Sequence, residues 1–347
     1  MRVLLVALLI TGCGHKAKAV TKEELGKRLF EDTALSSPAG QACADCHVAR
    51  VGFADPEDDR TSAGVIKTRL GVRNTQGITY SKFAPPLHRE GDRMVGGLFW
   101  DGRAESLEAQ VVHPLTNPLE MNNKDKDEVV AKVRARHGRA FTDVFGKGAL
   151  DGEHAFDRIA EAIASFERTT AFAPFSSKYD QYLAGQALLD DSEQRGLALF
   201  GQHCTGCHTP PLFTNWSYVN LGVPRFNDNP FYLLPPELNP EGERHIDHGL
   251  ATTTGDSRHD GMFRVPSLRN VARTTPYGHN GYFRRLDEMI AFHAASTLPA
   301  EVPATVDRAA LAQFSPSPQD IRDLIAFLKT LTDAGVEGAR TATAQRQ

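Results

Sequence analysis

Cys43-Ala44-Asp45-Cys46-His47 recurs far downstream as Cys204-Thr205-Gly206-Cys207-His208. The spacing lets two thiols add across the two vinyl groups of a haem while the adjacent histidine becomes an axial iron ligand. Three other chemistries use similar residues. A thioredoxin-like redox pair does not need the following histidine, and no βαβ pattern surrounds either site. A zinc site is allowed by the ligand types, but two pentapeptides of one form in an exported chain fit haem better. Structural disulfides are ordinary outside the cell. The two motifs use four of the five cysteines, and the reading they favour is two covalent haems c.

The segments around the motifs repeat as well. Lys22 to Phe30 reads as a helix started by Thr21, with Glu24 three residues on, and Asp191 to Phe200 reads as its counterpart. Each ends in a Leu-Phe pair shortly before its motif, which resembles the opening of a cytochrome c domain. Phe156, Ile159, Ala160, Ile163 and Phe166 mark the buried face of a later helix. Ile321, Leu324, Ile325 and Leu328 do the same after a Ser317-Pro318 start. Strand signals are few, and 209–261 reads as long loops. The expected fold is therefore all-α, mainly helical with long loops, as two cytochrome c-like domains in tandem over 13–185 and 186–332. The boundary falls near Gly185 and Asp190-Asp191, and a flexible tail, 333–347, starts at Asp333.

The 347 residues are 41% hydrophobic and 24% charged, a soluble globular composition long enough for two cores. A net charge of −4 lacks the basic excess expected of a nucleic-acid binder. Residues 1–12 read as a signal peptide, since Arg2 precedes an apolar run, Val3 to Ile10, too short to span a bilayer. Ile10-Thr11-Gly12-Cys13 resembles a bacterial lipobox, which implies a lipid on Cys13. The expected location is the periplasmic side of the envelope, anchored to the outer membrane, with Cys13 lipid as the sole membrane contact.

Two longer blocks remain. The first runs Phe99-Trp100-Asp101-Gly102-Arg103-Ala104-Glu105-Ser106-Leu107-Glu108-Ala109-Gln110, then Pro114 and Asn117-Pro118-Leu119-Glu120-Met121. The second runs Phe263-Arg264-Val265-Pro266-Ser267-Leu268-Arg269-Asn270-Val271-Ala272, then Thr275-Pro276-Tyr277-Gly278-His279-Asn280-Gly281. Together with the haem motifs they resemble the bacterial di-haem cytochrome c peroxidase family, MauG-like enzymes included. The resemblance implies that Glu120 is the acid–base carboxylate beside the peroxide-binding haem, with Gln110 as a pocket amide. It implies that Trp100 carries charge between the haems, and that Asn74, with the carbonyls of Thr274 and Pro276, holds a calcium ion. Cleaving the O–O bond of hydrogen peroxide needs an open iron position and a group that moves a proton between the oxygens, so the implied roles are chemically coherent.

The chain departs from its relatives at the sixth ligand of each iron. Where many classical peroxidases carry a capping histidine after the first haem motif, alignment of Ser62-Ala63-Gly64-Val65 puts Val65, which cannot ligate iron. The nearest histidine, His88, lies in a Pro-rich insert and reads as a surface residue. At the second haem, register from His279 lands on His293, with Met289 one turn earlier as the competitor. The expected function is reduction of hydrogen peroxide at the His47 haem with electrons relayed through the His208 haem from a small cytochrome c or cupredoxin. A MauG-like oxidation of Trp or Tyr residues in a partner protein, and a non-catalytic electron-transfer cytochrome, are the alternatives.

Overall fold

A computed structural model of the chain describes residues 19–57, 59–294, 297–311 and 314–336; the signal segment 1–12 and the Cys13 anchor lie outside the described residues. The helices are α1 (Lys22–Phe30), α2 (Cys43–Cys46), α3 (Leu107–Thr116), α4 (Lys126–Phe145), α5 (Ala155–Glu167), α6 (Lys178–Leu183), α7 (Asp191–His203), α8 (Leu250–Thr254), α9 (Leu286–His293), α10 (Arg308–Leu311) and α11 (Pro318–Lys329). Two short antiparallel ribbons accompany them, β1 (His88–Glu90) with β2 (Arg93–Val95), and β3 (Tyr218–Val219) with β4 (Phe263–Arg264). The architecture is mainly helical, as expected, and most of 209–261 is loop broken by short turns of helix.

The helices start where the chain supplies caps. Thr21 Oγ1 accepts the Glu24 amide, and Asp190 and Glu193 exchange side-chain-to-backbone bonds at the start of α7. Ser317 and Asp320 do the same for α11, with Pro318 in the first turn.

Two helix crossings of one design organise the molecule. At α1 against α5, a Cβ on Gly26 would overlap the Ala162 carbonyl oxygen and meet Phe166. At α7 against α11, a Cβ on Gly196 would overlap the Asp323 carbonyl oxygen and meet Phe327. A glycine at each crossing lets the backbones approach where no other residue fits. Leu25, Leu29, Ile159 and Ile163 bury fully around the first crossing, and Phe200, Phe213 and Phe327 around the second. Full burial of such side chains stabilises by roughly 1.5–3 kcal/mol each, so each crossing is the centre of its own core.

Two boundaries differ from expectation. The α6 segment, placed with the first half at 13–185, packs on the second core: Tyr179 lies edge-on to Phe213 and Phe327, and Asp180 pairs with the buried Arg269. The tail does not start at Asp333, which is 1% exposed. Its carboxylate accepts from the Tyr80 hydroxyl, Asn270 Nδ2 and the Ser176 amide, and Val336 beyond it is buried too. A carboxylate and a lone valine in a polar stretch carry no periodicity, so nothing local announced that they dock.

Candidate functional site

α2 presents Cys43 and Cys46, and its start is tied by the Asp45 carboxylate accepting the Ala42 amide at 2.8 Å. His47 follows, its ring Nδ1 3.0 Å from the Phe53 carbonyl. The second motif repeats the device: His208 Nδ1 lies 3.0 Å from the Phe213 carbonyl. Phe53 and Phe213 both sit in the left-handed region, at φ 52° and 55°, which turns their carbonyls back toward the histidines. With Nδ1–H donating to a carbonyl, each imidazole keeps Nε2 bare for a metal. Burial holds both imidazoles neutral, the His208 pKa being pushed down to about 4.

The four thiols are unbridged, which removes the disulfide reading. Burial pushes Cys43 up to about 12 and Cys46 and Cys204 up to about 11, the opposite of an activated redox pair. Among the described residues no group of three or more His, Cys, Asp or Glu side chains gathers as a zinc site would.

A cavity of about 670 Å³ adjoins the second motif, of the size that holds a large planar cofactor. Cys204, Cys207 and His208 line it together with His293 and Met289 of α9. Its polar wall holds two buried nitrogens without a protein partner, Gln76 Nε2 and His279 Nε2. Such orphans fit a buried group bearing carboxylates, so the residues present suit haem. His293 Nδ1 lies 2.8 Å from the Met289 carbonyl, leaving Nε2 bare as in the two motif histidines.

Near the first motif, Glu120 is close enough that its charge acts on both Cys43 and Cys46. Its carboxylate is held by Asn117, whose Nδ2 donates to Oε1 at 2.7 Å. Burial raises its pKa, and neither that bond nor Arg103 cancels the shift. Gln110 stands two turns before Asn117 on α3, half-buried, with its backbone amide on Ser106. Val65 donates its amide to the Glu120 carbonyl at 2.8 Å. The segment that would carry a capping histidine is therefore pinned beside Glu120 with an apolar side chain. His88 is exposed on β1, with Nδ1 on the Pro86 carbonyl, and takes no part.

Trp100 stands where the halves meet. Its indole Nε1 donates to the Asn74 carbonyl at 3.0 Å, and its own carbonyl accepts the Arg264 amide from β4 at 2.9 Å. Asn74, Thr274 and Pro276 line the same cavity as Trp100. Asn74 Nδ2 donates to the Arg60 carbonyl at 3.1 Å, and a calcium shell built on one amide oxygen and two carbonyls would need water to complete it.

Sequence reading did not single out the ion cluster beside Trp100. Arg73 binds Asp247 through two bonds of 2.7 Å and Asp101 through one of 2.6 Å, and Arg103 also reaches Asp101 at 2.8 Å. Asp101 and Asp247 are buried, and they lie too far apart in the chain for any spacing signal to pair them.

The model of the di-haem cytochrome c peroxidase family matches residues 20–188. The methylamine utilization protein MauG of Paracoccus denitrificans is 36% identical over 372 residues, covering 96% of this chain and 95% of that protein. The cytochrome c551 peroxidase of Nitrosomonas europaea is 31% identical, covering 91% of this chain and 82% of that one. Among solved structures, the diheme peroxidase BthA from Burkholderia thailandensis superposes with a TM-score of 0.80 at 32% identity, over 92% of this chain and 88% of that one.

Proposed function

The chain belongs to the bacterial di-haem cytochrome c peroxidase family, and on that premise we propose that this oxidoreductase reduces hydrogen peroxide to water at the His47 site. Electrons reach that site through the His208 site and Trp100. The observation that carries the reading is Glu120, a carboxylate with a raised pKa held by Asn117 beside the first haem motif. When bound, the two haems supply one iron open to peroxide and a second that stores and relays charge. Glu120 Oε2, the oxygen Asn117 leaves free, takes the proton of the near peroxide oxygen and hands it to the far one, which leaves as water as the O–O bond breaks; two donor electrons and two solvent protons turn the near oxygen into the second water. Gln110 offers an amide to hold the peroxide in place. His47 at the first site, and His208 and His293 at the second, each with Nδ1 on a carbonyl, would each offer a fixed tautomer to its own iron.

Two features favour a second reading, oxidation of Trp or Tyr residues of a partner protein. Val65 leaves the first site uncapped, and His293, whose charge acts on His208, is the proposed second ligand rather than Met289, which lowers that haem's potential. The donor for the first reading is a small cytochrome c or cupredoxin. Asn74, Thr274 and Pro276 are proposed for calcium, and the Cys13 lipid for the outer membrane. Among the described residues, no helix is long and apolar enough to cross a membrane.

Peroxide consumption with reduced cytochrome c tests the first reading: turnover supports it, and absence of turnover with peroxide-dependent crosslinking or hydroxylation of a partner's aromatic residues supports the second. A plain electron-transfer cytochrome would show neither.

A further inference from the structure

The contacts of the two helix crossings correspond residue by residue. Gly26 meets Ala162 and Phe166, as Gly196 meets Asp323 and Phe327, so the next residue of each closing helix also corresponds: Glu167 and Leu328. Leu328 lines the second cavity beside Cys204 and His208. Glu167 is 8% exposed at the last position of α5, and its charge acts on Cys43, the counterpart of Cys204. We propose that Glu167 is a proton-holding carboxyl on the wall of the first haem site, one that takes up a proton when that haem is reduced and releases it on oxidation.

The surroundings leave this carboxyl little other support. Arg168, its neighbour, spends both terminal guanidinium nitrogens on Glu108 of α3 at 2.6 and 2.8 Å, and Lys82 binds the Arg168 carbonyl. On the α1 side, Lys22 is held by Glu161. The helix C-terminus adds a negative partial charge, which opposes ionisation. Burial, with Glu108 adding to it and Arg168 opposing, pushes Glu167 up to about 8. A one-electron donor delivers an electron to the iron, solvent supplies one proton to the carboxylate, and the net charge of the buried site is unchanged. The second site has leucine at this position; its own raised carboxyl, Glu301, which burial beside Asp247 pushes up to about 7, lies on another part of the cavity wall.

The proposal rests on a haem at Cys43 and Cys46, so intact-mass measurement of the holoprotein comes first; a missing haem defeats that reading and is seen before any titration. Redox titration of the holoprotein with dithionite and mediators, from about pH 6 to 9, then follows each haem by its own absorption. In the native protein the reduced-to-oxidised ratio of the first haem at fixed potential falls with rising pH, by up to about tenfold per unit. Glu167→Gln flattens that slope and leaves the second haem unchanged, and Glu167→Leu, the second half's residue, does the same. Glu120→Gln keeps the slope. Equal slopes in native protein and Glu167→Gln, or a slope lost only in Glu120→Gln, would overturn the proposal. If Glu167→Leu fails to load haem, the isosteric Glu167→Gln decides.

Discussion

Glu120 is asked to do the most chemistry of any side chain here, and its environment sets the sign of the pH effect. The proton-accepting form is the carboxylate, and burial raises its pKa. The acid limb of the peroxide reaction therefore lies at higher pH than for an ordinary carboxylate, and activity falls as pH drops through it. Glu120→Gln should lower the rate roughly 100- to 10,000-fold and abolish that limb; a pH–rate profile reads both. His293 makes a separate expectation. His293→Ala should convert the second haem's low-spin signal in electron paramagnetic resonance, while Met289→Ala leaves it in place; the reverse pattern assigns the ligand to Met289. Val65→His should add a cap beside Glu120 and turn the first haem low-spin as isolated. These residues were legible in advance because they sit in contiguous blocks or at a fixed helical register. Glu167 was not, since a lone glutamate at the end of an amphipathic helix reads as solvated until the Gly26 crossing shows which way it faces.

At the scale of elements, the paired crossings explain why two glycines lie inside helices that would be more stable with alanine. Gly26→Ala and Gly196→Ala each force a methyl onto a carbonyl oxygen, and overpacking of that kind costs about 1–3 kcal/mol. Each should lower the thermal midpoint, and Gly138→Ala, where a Cβ meets nothing within 4 Å, serves as the control that does not. The helices themselves were readable, because caps such as Thr21, Asp190 and Ser317 and the apolar faces of α5 and α11 are local signals. The ribbons were not. β3 and β4 are two residues each and pair segments far apart in the chain, so their strand character comes from tertiary contact.

Over the whole molecule, the halves are tied by long-range polar contacts rather than by a continuous core. Arg73 joins Asp101 and Asp247, and Tyr80 joins Asp333. Burial opposes the Asp247 charge, but Arg73 outweighs it and holds the carboxyl well below the usual carboxylate range. Its contribution to stability is thus present above the unfolded value of about 3.9 and is lost as pH falls toward the depressed folded value. Arg73→Met should cost about 3–5 kcal/mol by leaving buried carboxylates unpaired, measured by denaturant unfolding at neutral pH. The same separation in sequence explains why α6 reads with the first half and Asp333 as the start of a tail: both are bound by partners that no local pattern reveals.

The central claim is that the His47 site is open and served by Glu120, so that peroxide reacts without prior reduction. Stopped-flow mixing of the fully oxidised di-haem protein with hydrogen peroxide tests it most directly. A rapid change of the haem spectrum, slowed strongly in Glu120→Gln, is the expected result; no change until an electron donor is added would contradict it.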